Sequence, residues 1–79
     1  MKALKTEDST SSINEAVLSP KELSYLSMVS KGMSSTEIAD KMFVSVRTVE
    51  TWREKIIRRA QAKKIIEVVA EAIRTGLIN

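Results

Sequence analysis

From residue 18 onward the apolar positions recur at the spacing of helices rather than strands. Leu23, Leu26 and Val29, with Tyr25 beside them, make a first stripe, because residues three and four apart stack on one helix face. Ile38, Ala39 and Met42 make a second, and Val46, Val49, Trp52, Ile56, Ile57 and Ala60 share one broad face of a third. The run Ile65, Ile66, Val68, Val69, Ala70, Ala72, Ile73 is apolar on more than one side. One face of this last segment has to cover the third helix. The other is left in water, and a contiguous exposed apolar strip marks an interface. Ile66, Val69 and Ile73 are the residues expected to form it. Residues 1–16, by contrast, are polar and rich in Ser and Thr. They read as a flexible arm or linker, with Ile13 and Val17 as candidates for docking on the core.

Start and stop signals bracket these stripes. Ser19-Pro20-Lys21-Glu22 combines a serine cap, a proline at the first helical position and a glutamate that closes a capping box. Ser34 with Glu37 repeats the box, and Ser45 repeats the cap. Leu18 with Leu23, Met33 with Ile38, and Val44 with Val49 are the matching hydrophobic staples. Gly32 supplies the left-handed residue that ends the first helix, and Gly76 ends the last, with Leu77 and Ile78 folding back. The spacing predicts helices from Ser19, over about 35–41, over about 46–60 and over about 64–75. A two-turn helix, a turn near Met42 to Val44 and a second capped helix make a helix-turn-helix core over 34–60. Between Arg59 and Lys64 there is neither Gly nor Pro. Either Gln61 or a neighbour accepts the turn at some strain, or the last two helices run together and favour a swapped or extended dimer.

Composition narrows the chemistry. The 79 residues suffice for one small domain, over 17–79, whose thin core makes association reasonable. The chain has neither Cys nor His, which removes thiolate sites, the commonest metal ligand and the commonest general base. No phosphate-cradling glycine loop is present, so no catalytic residue, metal or cofactor is expected, and the chain is not expected to be an enzyme. The amino terminus does not resemble a signal peptide, and no apolar run approaches the ~20 residues that span a bilayer. A cytoplasmic protein without a membrane partner is the expectation. Net charge is only +3, but Val46 to Lys64 holds seven Lys and Arg against two Glu. The first twenty residues hold two Lys against three acids. Concentrated positive charge on one helix is the footprint of a polyanion binder.

On a wheel the polar side of that helix carries Arg47, Thr51, Arg58 and Lys55, with Glu50 and Glu54 at one margin and Arg59 nearer the other. Arg53 falls on the apolar side and is expected to pair with Glu22, Glu37 or Asp40. Trp52 and Tyr25 are expected in or beside the core.

The residues Leu18-Ser19-Pro20-Lys21-Glu22, Gly32, Ser34 with Glu37-Ile38-Ala39, Val44-Ser45, Thr48-Val49-Glu50, Arg53, Ile57-Arg58-Arg59, Ala72-Ile73-Arg74 and Gly76-Leu77-Ile78 fall in register with one family. Over residues 18–78 the chain resembles the LuxR-type (LuxR, FixJ, GerE) helix-turn-helix transcription regulators of bacteria. The resemblance implies an all-α, four-helix domain whose third helix enters the DNA major groove and whose fourth often serves as a dimer contact. Such dimers read paired half-sites. In that family the domain is usually the C-terminal output module of a larger regulator, often behind a phosphorylatable receiver. Two departures stand out. Trp52 occupies a position where the family usually has His, and Ala60-Gln61 replaces its usual Leu-Gly.

With double-stranded DNA as the implied partner, base reading is expected from Arg47, Glu50, Thr51 and Glu54. Arginine suits guanine, a carboxylate accepts from the cytosine amino group, and a threonine methyl suits thymine. The alternative for the two glutamates is to hold Arg47 and Arg58 by helical pairing. Phosphate contacts are expected from Thr48, Lys55, Arg58, Arg59, Lys63 and Lys64. A homodimer through helix four is expected, and RNA polymerase is a candidate partner. The rival reading is a protein-interaction module that kept the fold and lost DNA binding. The acidic residues of the third helix and the altered turn after it lean that way.

Overall fold

In the computed structural model, residues 18–79 are described and form four helices with no strand among them. These are α1 (Pro20–Ser30), α2 (Ser35–Met42), α3 (Val46–Ala60) and α4 (Ile65–Arg74). The arm over 1–16 and the docking of Ile13 and Val17 lie outside the described residues.

The serine signals work as hydrogen bonds. Ser19 Oγ accepts from Glu22 N at 3.1 Å while Ser19 N donates to Glu22 Oε1 at 3.0 Å. Ser34 and Glu37 reproduce the reciprocal pair at 3.1 and 2.8 Å. Each box satisfies two backbone donors that a bare helix start would leave orphaned. Ser45 Oγ accepts from Thr48 N at 3.0 Å, and the Thr48 hydroxyl lies 2.9 Å from it where the boxes have a glutamate. Helix α4 has no side-chain cap; instead Glu67 Oε1 accepts from Lys63 N at 3.0 Å.

All four helices stop on a left-handed residue, at Gly32, Phe43, Gln61 and Gly76. Each stop is closed by a reverse backbone bond: Met33 N to Met28 O, Val44 N to Ala39 O, Ala62 N to Ile57 O, and Leu77 N to Ala72 O. That is the Schellman arrangement. Gln61 therefore takes the turn, with φ at 57°. Helices α3 and α4 are separate, and the long continuous helix is not formed.

Helices α1 and α3 each pack against all three other helices, whereas α2 and α4 do not meet. The core at their junction is Tyr25, Leu26, Ile38, Ala39, Val49, Ile56, Val68, Val69, Ala72 and Ile78. Trp52 packs against it and meets Tyr25 edge to face, with ring centroids 6.3 Å apart. Burial pushes the Tyr25 phenol above its ordinary pKa, and the Arg53 guanidinium draws it part of the way back.

The expected outward strip of α4 needs one correction. Val69 is 3% exposed and belongs to the core. Ile65, Val68, Val69 and Ala72 form the inward i, i+3, i+4, i+7 stripe. The outward side is Ile66, Ala70 and Ile73, continued by Leu77 after the helix.

Candidate nucleic-acid interface

Helix α3 turns Val49 and Ile56 into the core and rests Trp52 and Ala60 against its edge. This fixes which residues face outward. Arg47, Glu50, Thr51 and Glu54 are all exposed and together line a shallow cleft of about 150 Å³ on the helix surface. The four residues expected to read bases are thus brought to one place. Lys55 and Arg58 are exposed beside them, and Lys63 and Lys64 are exposed in the turn that leaves α3. Thr48 is half-buried and engaged with Ser45 at the start of the helix.

Among the described residues no ion pair joins Glu50 or Glu54 to Arg47 or Arg58. The helix N-terminus contributes its partial positive charge to the same end as Arg47. Its C-terminal turn carries Arg58 and Arg59. The outward surface therefore offers a guanidinium, a hydroxyl and two carboxylates between cationic flanks. Hydrogen-bond donors and acceptors in a row, framed by positive charge, suit a polyanion whose edges differ from place to place.

The carboxylate expected for Arg53 is taken by Arg59. Arg53 does not take Glu22. It is half-buried near Tyr25, while Glu22 Oε2 accepts from Arg59 Nη2 at 2.5 Å and Glu37 is committed to its own cap. The reason is angular. Arg59 lies six residues beyond Arg53, about 120° short of two whole helical turns, so the two point to different sides, and Glu22 of α1 lies on the Arg59 side. Sequence reasoning missed this pair because nothing local announces a contact across 37 positions. It also missed Phe43, which is 93% exposed in the turn before α3.

The chain matches the family described as bacterial regulatory proteins, luxR family, over residues 16–72. It is similar to BvgA of Bordetella pertussis, named as a transcription regulator of virulence factors, with 37% identity over 62 residues. That match covers 78% of this chain and 30% of BvgA. It is similar to the oxygen regulatory protein NreC of Staphylococcus epidermidis, with 38% identity over 73 residues, 92% of this chain and 34% of that protein. For NreC of Staphylococcus carnosus the figures are 38% over 63 residues, 80% and 29%. The chain spans about a third of the length of these curated relatives. No solved structure matches it.

Proposed function

The chain belongs to the LuxR family of bacterial regulatory proteins, and from that membership we propose that it is the DNA-binding unit of a transcription regulator, reading the major groove with α3. The observation that carries this reading is the outward face of α3, where Arg47, Glu50, Thr51 and Glu54 line one cleft with Lys55 and Arg58 exposed beside them. A helix fits the major groove, and these side-chain types match its donor and acceptor code. Arg47 suits a guanine edge, Glu50 and Glu54 suit exocyclic amino groups, and the Thr51 methyl suits thymine. Lys55, Arg58, Lys63 and Lys64 neutralise phosphates, and Thr48 adds a polar contact where the helix dipole is positive.

Ile66, Ile73 and Leu77, exposed along one side of α4, are the contact between two copies, which together span two half-sites. RNA polymerase is the partner that a bound regulator of this kind acts upon, and the site of action is the bacterial cytoplasm. No catalytic step belongs to the proposal.

Selection of binding sites from random duplexes tests it, with affinity for the winners then measured over a series of salt concentrations. The reading expects enrichment of a paired motif and an affinity that falls linearly on logarithmic axes as salt rises. Recovery of unenriched sequences with no salt dependence would instead support a protein-interaction module on the same fold.

A further inference from the structure

Glu22 is the one buried charged residue among those described, 8% exposed, and it uses both carboxylate oxygens. Oε1 accepts from Ser19 N at 3.0 Å and completes the cap of α1, while Oε2 accepts from Arg59 Nη2 at 2.5 Å. Arg59 sits in the last turn of α3. The same carboxylate thus starts one helix and holds the far end of another. Helices α1 and α3 also meet in the core and through the Tyr25–Trp52 ring contact. The Glu22–Arg59 pair adds a polar link at the C-terminal end of α3, where a change of tilt would act over the whole helix. A 15-residue helix is about 22 Å long, so a tilt of about 10° at one end moves the other by about 4 Å, more than a hydrogen bond tolerates.

We propose that Arg59 is a positioning residue rather than a phosphate contact. Paired with Glu22, it holds α3 at the angle from which Arg47, Glu50, Thr51 and Glu54 reach base edges. This rests on the DNA-binding reading and refines it: neighbouring arginines divide the labour, Arg58 facing the phosphates and Arg59 facing the scaffold. Phosphate contacts fix register and carry no sequence information, whereas loss of angle damages base reading selectively.

Glu22→Gln is the discriminating variant, because the amide oxygen still accepts from Ser19 N while its NH2 opposes the guanidinium. Arg59→Ala and Arg59→Lys stand beside it, at a position exposed enough to tolerate change. Affinities for the selected site and for random duplex are measured across salt, with helical content checked by circular dichroism. In Glu22→Gln and Arg59→Ala, the ratio of specific to random affinity falls about tenfold, the size of one lost base contact, and the salt slope stays at the wild-type value. Arg59→Lys, which can still pair with Glu22, recovers most of the ratio. The proposal is overturned if Arg59→Ala weakens both DNAs alike and lowers the slope by about 0.9, the signature of one lost phosphate. It is equally overturned if folded Glu22→Gln keeps the wild-type ratio. Failure of the wild-type chain to bind duplex at all is a different outcome: it removes the DNA-binding reading and takes this inference with it.

Discussion

Helices α3 and α4 solve the same packing problem and then diverge. Each buries one stripe in the shared core, Val49 and Ile56 from α3, Val68, Val69 and Ala72 from α4. Their outward faces have opposite chemistry. On α3 the exposed residues are Arg47, Glu50, Thr51, Glu54, Lys55 and Arg58; on α4 the largest exposed apolar side chains are Ile66 and Ile73, at 56% and 47%. A helix needs only its inward stripe to hold a fold together. The difference between the two outward faces is what the proposal above rests on: a charged, hydrated polymer suits the face of α3, and another apolar surface suits that of α4.

The largest effect is expected from breaking the α4 side. Ile73→Glu leaves the core untouched but places a charge in the strip shared with Ile66 and Leu77. If that strip joins two copies, sedimentation shows a dimer becoming a monomer, and affinity for a paired site falls by roughly a hundredfold or more as the avidity of two linked readers is lost. Affinity for a single half-site should not change. A wild-type chain that stays monomeric on and off DNA would end the parallel between the two faces.

On α3, Glu50→Ala and Thr51→Ala are the next in size. Each should relax preference at one position of the selected motif by about 1–3 kcal/mol while leaving affinity for random duplex nearly unchanged. The test is competition between the motif and single-base variants of it. Arg58→Ala sharpens the contrast from the other direction, with a smaller and uniform effect. It should weaken motif and random DNA alike and reduce the salt slope by about 0.9. Equal losses on both DNAs for all three variants would dissolve the division between reading and neutralising residues.

How far this was legible in the sequence depended on the range of the interaction. Caps are local, so Ser19, Ser34 and Ser45 could be placed from spacing alone, and the hydrogen bonds fall where the spacing puts them. The outward face of α3 was legible because a strong inward stripe leaves little choice of rotation. Helix α4 was harder, since a helix apolar nearly all round does not declare which side is the core. Val69 went to the wrong face for that reason, although the stripe Ile65, Val68, Val69, Ala72 was there to be read. The partner of Glu22 was not legible. Arg53 and Arg59 were both near the boundary of the apolar face, and only the position of α1 decides between them.

The smallest effect concerns the two ends of α3, and it separates stability from recognition. Phe43 and Gln61, with φ of 58° and 57°, occupy the left-handed stops before and after the helix, while the stops of α1 and α4 use glycine. A side chain in that conformation costs about 1–2 kcal/mol, and glycine removes the cost while giving back part of it as extra freedom in the unfolded chain. Gln61→Gly and Phe43→Gly should therefore each raise stability by about 0.5–1 kcal/mol in denaturant titrations, since neither exposed side chain contributes burial. If both variants also keep wild-type affinity for the selected motif, the strained stops are only turns. If Phe43→Gly gains stability and loses DNA affinity, the aromatic ring at the head of α3 belongs to the same outward face as Arg47, and that face begins before the helix does.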